Sequence, residues 1–177
     1  MFALDHHDGS CPYTEDRTGD KYWEFDTDAP PLSGDIDKSY EDFHGKVVTR
    51  ETEIRYLIDD LYHPAFSRKA LKFSLEPTLD FDKLVVAGHS FGGAATLKVG
   101  QSDARVKCLL TMDPWMFPIH KQNFKYPKSM KVFLLNTFNF HDRMKSFPQK
   151  PSFDRMLHFL KTQNNDMDYV VLNNAEH

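Results

Sequence analysis

The sequence predicts an α/β protein with a mostly parallel sheet flanked by helices, and three observations carry that reading. Five short runs read as strands, at residues 2–5, 84–88, 106–112, 131–137 and 168–173, most of them continuously apolar rather than alternating. Such runs suit strands covered by helices on both faces. Segments with helical spacing separate several of these runs. Finally, the apolar run Leu84-Val85-Val86-Ala87 leads into Gly88-His89-Ser90-Phe91-Gly92-Gly93-Ala94-Ala95. That is Gly-x-Ser-x-Gly with a strand on its left and a small-residue helix pattern on its right, the form of a sharp turn that presents a serine hydroxyl.

Taken in order, Phe2-Ala3-Leu4 reads as a short strand and His6-His7-Asp8-Gly9-Ser10 as the turn after it. Residues 14–45 are polar and rich in Asp, Gly, Pro and Ser, and read as loop. From Thr49 the period changes. Ile54, Leu57, Ile58 and Leu61 recur at i, i+3, i+4 and i+7, which predicts an amphipathic helix ending before Pro64. A short helix is expected around Ser67–Phe73. The strand at 84–88 then enters the Ser90 turn, where Gly88 and Gly92 are expected to leave room for a tight bend. Gly93, Ala94 and Ala95 are expected to let the following helix lie close to its strand. The run at 106–112 ends at Asp113-Pro114, and the run at 131–137 is followed by Asn139, His141 and Asp142. A helix from Pro151-Ser152 carries Phe153, Met156, Leu157 and Leu160 at helical spacing, and a last strand leads to His177.

Length and composition bound the function. The 177 residues suggest one domain over 1–177, and 40% hydrophobic residues are enough for a core. The net charge of −4 and the lack of a Lys/Arg block disfavour a nucleic-acid partner. No run of 18 apolar residues predicts a transmembrane segment. The start at Met1 lacks the basic and apolar regions of a leader, so the cytoplasm is the default location, with secretion following if a leader lies upstream. Cys11 and Cys108 fit no metal spacing and are expected as reduced thiols.

Ligands of open parallel sheets sit beyond the carboxyl ends of the strands. There the chain offers Ser90, then Asp113, then Asp142, then His177, the Ser…Asp…His order expected of α/β-hydrolases. The chemistry requires these types. A serine hydroxyl is a weak nucleophile and needs a base. An imidazole accepts and returns a proton near neutral pH. A carboxylate holds the imidazole in the right tautomer and stabilises its charged form. The Phe91 N–H, at a helix start, faces where an oxyanion would form. His6, His7, His44 and His120 read as loop residues and His89 as a neighbour of the turn, whereas His177 follows the last strand, where the base belongs. Spacing alone leaves Asp113 and Asp142 evenly matched as the acid.

Gly88-His89-Ser90-Phe91-Gly92-Gly93-Ala94 joined to Asp113-Pro114-Trp115-Met116-Phe117-Pro118 resembles the platelet-activating-factor acetylhydrolase family, serine-dependent and calcium-independent phospholipase A2 enzymes of the α/β-hydrolase superfamily. Asp5-His6-His7-Asp8-Gly9-Ser10 is similar to that family's His-Arg-Asp-Gly-Ser turn, with His7 where the family has arginine, and Arg50-Glu51-Thr52-Glu53-Ile54-Arg55 resembles its helix before the serine turn. The resemblance implies Ser90 as nucleophile, Asp113 as acid in preference to Asp142, His177 as base, the Phe91 N–H as oxyanion donor, and Trp115, Met116 and Phe117 lining a pocket. It implies hydrolysis of a short or oxidised sn-2 acyl ester of a phospholipid, met at a membrane or lipoprotein surface, with no metal and no cofactor. It also implies that this chain is part of a longer one. The family's leading strands and Gly-rich oxyanion loop do not precede Met1, so a bare sheet edge is expected. Two other readings stay open: a serine hydrolase of other small esters, and a fragment that binds without catalysing.

Overall fold

The computed structural model describes residues 1–8, 10, 14–15, 21–22, 35–63, 65–66, 79–144, 150–162 and 167–177. In chain order its elements are β1 (Thr14–Glu15), β2 (Lys21–Tyr22), α1 (Ile36–Tyr62), β3 (Val85–His89), α2 (Phe91–Ser102), β4 (Cys108–Met112), β5 (Lys131–Thr137), α3 (Phe138–Met144), α4 (Lys150–Thr162) and β6 (Met167–Leu172). Short 3₁₀ turns lie at Phe81–Lys83 and Phe117–Ile119. Strands β3, β4, β5 and β6 form one parallel sheet in sequence order, and β1 and β2, within the stretch expected to be loop, pair antiparallel as a separate two-stranded sheet. The class is α/β with a parallel sheet, as the apolar runs predict.

Helix α1 begins at Ile36, well inside the stretch expected to be loop. Asp35 caps it, its carboxylate accepting from the N–H groups of Asp37 and Lys38 at 3.1 and 3.2 Å. The early half packs through Tyr40 and Val47, both buried. Gly45 and the polar residues around these anchors dilute the periodicity there. The late half buries Ile58 and Leu61, and the helix stops at Tyr62, two residues before Pro64. Within the core, Leu97 of α2, Leu109 of β4 and Leu134 of β5 are fully buried. Each contributes about 1.5–3 kcal/mol of burial free energy. Glu51 of α1 pairs with Lys98 of α2 at 3.3 Å, which ties the two helices together where both side chains are largely buried.

The first predicted strand does not form. Residues 1–7 are irregular, and among the described residues β3 pairs with β4 alone. Side chains anchor this segment instead. His6 Nδ1 lies 2.6 Å from Glu53 Oε2, and the His7 N–H donates to Glu53 Oε1 at 3.2 Å. Arg50 donates to Asp8 Oδ2 at 2.5 Å and to Ser10 Oγ at 2.5 Å. Three consecutive apolar residues are too few to extend the sheet against charged neighbours, whereas the charged ones find partners on α1.

The other strands lie within two residues of expectation, and 131–137 is met to the residue. Their burial alternates, deepest at Leu109 and Thr111 in β4 and at Val132, Leu134 and Asn136 in β5. The two faces are therefore not equally covered, contrary to the expectation of uniform burial. Helix α3 follows β5 directly, where the sequence reading assigns no element. Helix α4 covers the predicted 151–160 segment and buries Phe153 and Met156. The helix expected at Ser67–Phe73 and Cys11 lie outside the described residues. Cys108 is a free, half-buried thiol whose pKa burial raises.

Candidate active site

The site starts from the turn between β3 and α2. Ser90 has φ 53° and ψ −116°, a conformation that costs a non-glycine residue of order 1–3 kcal/mol. Three backbone hydrogen bonds hold it there. The Ser90 N–H donates to Met112 O at 2.9 Å, and Ser90 O accepts from Trp115 N–H at 2.9 Å and Ala94 N–H at 3.2 Å. Ser90 is also the N-cap of α2, yet its hydroxyl makes no capping bond. The hydroxyl is thus left for other partners, and the first N–H of the helix belongs to Phe91.

Glycine is required at some positions of the motif and not at others. A Cβ on Gly88 would lie 2.2 Å from Gly92 O, and one on Gly93 would lie 2.9 Å from Pro114 Cα. Gly88 lets the strand pass under the helix start, and Gly93 lets α2 sit against the Asp113-Pro114 turn. A Cβ on Gly92 would meet nothing within 4 Å. The expectation that Gly92 is needed for room is corrected by this open space.

The end of β4 places Asp113. Asp113 has φ 43°, a left-handed conformation that aspartate tolerates better than most residues. Its N–H donates to Leu135 O of β5 at 2.9 Å. The carboxylate is buried and accepts two bonds from Thr137: the backbone N–H to Oδ1 at 2.6 Å and the hydroxyl to Oδ2 at 2.9 Å. His177 Nδ1 lies 3.2 Å from Asp113 Oδ2, and His177 Nε2 lies 3.0 Å from Ser90 Oγ. The imidazole stacks on Phe140, with centroids 4.5 Å apart and planes 9° apart, and its centroid lies 4.6 Å from that of His89 at a 35° tilt. A hydroxyl, an imidazole and a buried carboxylate therefore form one continuous hydrogen-bonded line. This arrangement can move a proton off the hydroxyl and stabilise the resulting imidazolium. Tyr169 of β6 is pushed up to about 12, first by burial and second by the Asp113 charge.

The structure thus brings Ser90, Asp113 and His177 together. The backbone of Asp142 lies in α3. Of the three aromatic-region residues after Asp113, Met116 and Phe117 are fully buried in the core, while Trp115 is half-buried against Phe43 and Phe91, at 4.9 and 5.6 Å between centroids. An apolar cleft of about 480 Å³ lies elsewhere, between Met1–Leu4, the Ile54–Leu61 face of α1 and the edge of β3, and reaches Gly92. Sequence reasoning did not single out Thr137 or Phe140, and it named Arg50 only as part of the charged helix before the serine turn. Thr137 and Phe140 carry no motif and matter only through strand register. Arg50 carries a weak signal, as a cation on the helix before the serine turn. Its guanidinium carbon lies 4.5 Å from the Phe91 ring centroid while its donors hold Asp8 and Ser10.

Comparison with known proteins gives one family. The family model described as platelet-activating factor acetylhydrolase, isoform II, matches residues 52–173. The platelet-activating factor acetylhydrolase of Canis lupus familiaris is 27% identical over 155 residues, covering 73% of this chain and 35% of the relative. That of Bos taurus is 26% identical over 154 residues, with 72% and 35% covered. That of Cavia porcellus is 44% identical over 45 residues, which cover 25% of this chain and 10% of the relative. The chain spans about a third, 35%, of the first two relatives. Among solved structures, a ferulic acid esterase from Streptomyces cinnamoneus aligns with TM-score 0.48 and 20% identity, covering 91% of this chain and 38% of that one.

Proposed function

This chain belongs to the platelet-activating factor acetylhydrolase, isoform II family, and from that premise we propose that it carries the catalytic residues of a serine esterase acting on phospholipid-like esters. The observation that carries the proposal is the hydrogen-bonded line from Ser90 Oγ through His177 to Asp113, at 3.0 and 3.2 Å. Ser90 is the nucleophile, His177 the general base and Asp113 the residue that orients and stabilises it.

In the reaction, Ser90 Oγ bonds to the ester carbonyl carbon as its proton passes to His177 Nε2. The carbonyl oxygen becomes an oxyanion facing the Phe91 N–H at the positive end of α2. The tetrahedral species collapses with cleavage of the ester C–O bond, and the leaving lysophospholipid alkoxide takes the proton from His177. Water then repeats the sequence on the acyl-serine, giving Ser90 its proton back and releasing the carboxylic acid. Protons and charge are conserved over the enzyme–substrate complex at each step, the imidazolium of His177 matching the oxyanion. Trp115 is half-buried beside Phe91, the residue that follows the nucleophile.

Family membership motivates the substrate: a short or oxidised acyl chain at the sn-2 position, with the phospholipid met at a membrane or lipoprotein surface. No described helix is long and apolar enough to cross a membrane. The test compares hydrolysis of a short-acyl and a long-acyl phosphatidylcholine alongside fluorophosphonate labelling of Ser90. Labelling with preference for the short acyl chain is the expected result. Failure of Ser90 to label defeats the nucleophile assignment, and faster turnover of soluble acyl esters defeats the phospholipid one.

A further inference from the structure

We propose that His89, Asp113 and His177 form a binding site for a zinc-class divalent cation, and that the cation reversibly silences the triad. The inhibitory half rests on the proposed roles of Ser90 and His177; the binding half does not. One ligand atom from each of the three residues lies within 4.8 Å of the others. The donor set is two imidazole nitrogens and one carboxylate oxygen, which suits borderline cations such as Zn²⁺ and Co²⁺ rather than Ca²⁺ or Mg²⁺.

The geometry is close to what a cation needs. Tetrahedral Zn²⁺ with bonds of about 2.0–2.2 Å sets its donors roughly 3.4 Å apart. His177 Nδ1 and Asp113 Oδ2 are already 3.2 Å apart. Asp113 is fixed by its two bonds from Thr137, which leaves its carboxylate oriented as a second shell would leave it. His89 and His177 are both exposed, with ring centroids 4.6 Å apart and the three donor atoms within 4.8 Å of one another, so the cation would need the His89 ring to move inward by about the difference between 4.8 Å and the tetrahedral spacing. Water or Ser90 Oγ completes the coordination.

Inhibition follows from how His177 is used. One of its ring nitrogens faces Ser90 Oγ and the other faces Asp113 Oδ2. Whichever nitrogen the cation takes, one of those two hydrogen bonds is lost. Capture of Nε2 removes the base from the nucleophile. Capture of Nδ1 removes the acid from the base. No electron moves and no covalent bond changes, so chelation restores the free site.

His89 separates this site from the triad, since it is a ligand in one and a bystander in the other. The experiment measures Zn²⁺ binding to the protein by equilibrium dialysis, and Co²⁺ binding by visible d–d absorption, for wild type and His89→Gln. In parallel, Zn²⁺ inhibition of turnover is read relative to each variant's own metal-free rate. Expected are one Zn²⁺ bound per chain with a tetrahedral Co²⁺ spectrum, loss of that equivalent in His89→Gln, and at least a tenfold rise in the inhibitory Zn²⁺ concentration. Slowed fluorophosphonate labelling of Ser90 by Zn²⁺, reversed by chelator, supports the same conclusion. Binding retained in His89→Gln, or inhibition equal in both proteins, overturns the proposal. A protein that binds Zn²⁺ through His89 but whose Ser90 never labels upholds the site and defeats the esterase reading instead.

Discussion

At the scale of residues, the site makes distinct demands on neighbours that a motif treats alike. Gly88 and Gly92 both flank Ser90, but only Gly88 is crowded, with a Cβ placed 2.2 Å from a backbone carbonyl. Gly88→Ala must therefore shift the helix start away from the strand. Gly92→Ala adds a methyl into open space on a helix and removes backbone freedom from the unfolded chain, worth about 0.5–1 kcal/mol. Thermal unfolding should show Gly92→Ala at or above the wild-type midpoint and Gly88→Ala several degrees below it; a reversed order would mean that the crowding is misjudged. The acid invites the same comparison. Asp113→Asn keeps the shape but cannot stabilise an imidazolium, and should lower kcat by about 10³–10⁴-fold. Thr137→Val removes one of the two bonds that orient Asp113 and keeps the backbone one, a loss of about 1 kcal/mol or roughly fivefold in kcat. Steady-state kinetics on a short-acyl ester check both, and a Thr137→Val enzyme as poor as Asp113→Asn would contradict this division of roles.

At the scale of elements, His6, His7, Asp8 and Ser10 are held to α1 by charged and hydrogen-bonded side chains rather than by sheet pairing. The Asp8 side chain is fully buried and Arg50 is nearly so. Burial pushes the Asp8 carboxyl upward, but bonds from Arg50 and Ser10 outweigh it and hold the pKa below its ordinary value near 3.8. The sign follows. A carboxyl whose folded pKa is depressed adds stability that is complete above its ordinary value and is lost as pH falls through the folded one. Wild type should therefore lose stability steeply below about pH 4, and Asp8→Asn should be less stable at pH 7 with a flatter acid limb, in urea melts at each pH. Removing only Arg50 leaves a buried carboxylate unpaired, a loss of about 3 kcal/mol or more, whereas removing both partners together should cost less. Because Arg50 also lies over the Phe91 ring, the double variant that regains stability is expected still to show a lowered kcat. Recovery of kcat along with stability would reduce Arg50 to a structural role.

At the scale of the whole molecule, what was legible in the sequence is what local chemistry writes there. The Ser90 turn needs its strand, its small residues and its helix within a dozen positions, so it could be read directly. The parallel strands could be read because their apolar runs are continuous. Spacing could not choose between Asp113 and Asp142, since both follow strands; the register of β4 on β5 sets the Asp113 carboxylate against Thr137, and His177 reaches it from beyond β6. The start of α1 was hidden because Tyr40 and Val47 anchor it across polar residues and Gly45. The predicted strand at 2–5 failed for a related reason: its apolar side chains line the cleft against α1 instead of pairing with β3. Among the described residues, that leaves β3 hydrogen-bonded on one side, with Val85 53% exposed. A strand edge of this kind offers free backbone donors and acceptors to another chain. This protein should therefore self-associate with rising concentration through that edge. Val85→Lys sets a charge on the exposed face of the edge strand, touches none of Ser90, Asp113 or His177, and should shift light-scattering mass toward the monomer while leaving fluorophosphonate labelling of Ser90 intact. If Val85→Lys associates as readily as wild type, the edge of β3 is not the surface through which copies meet.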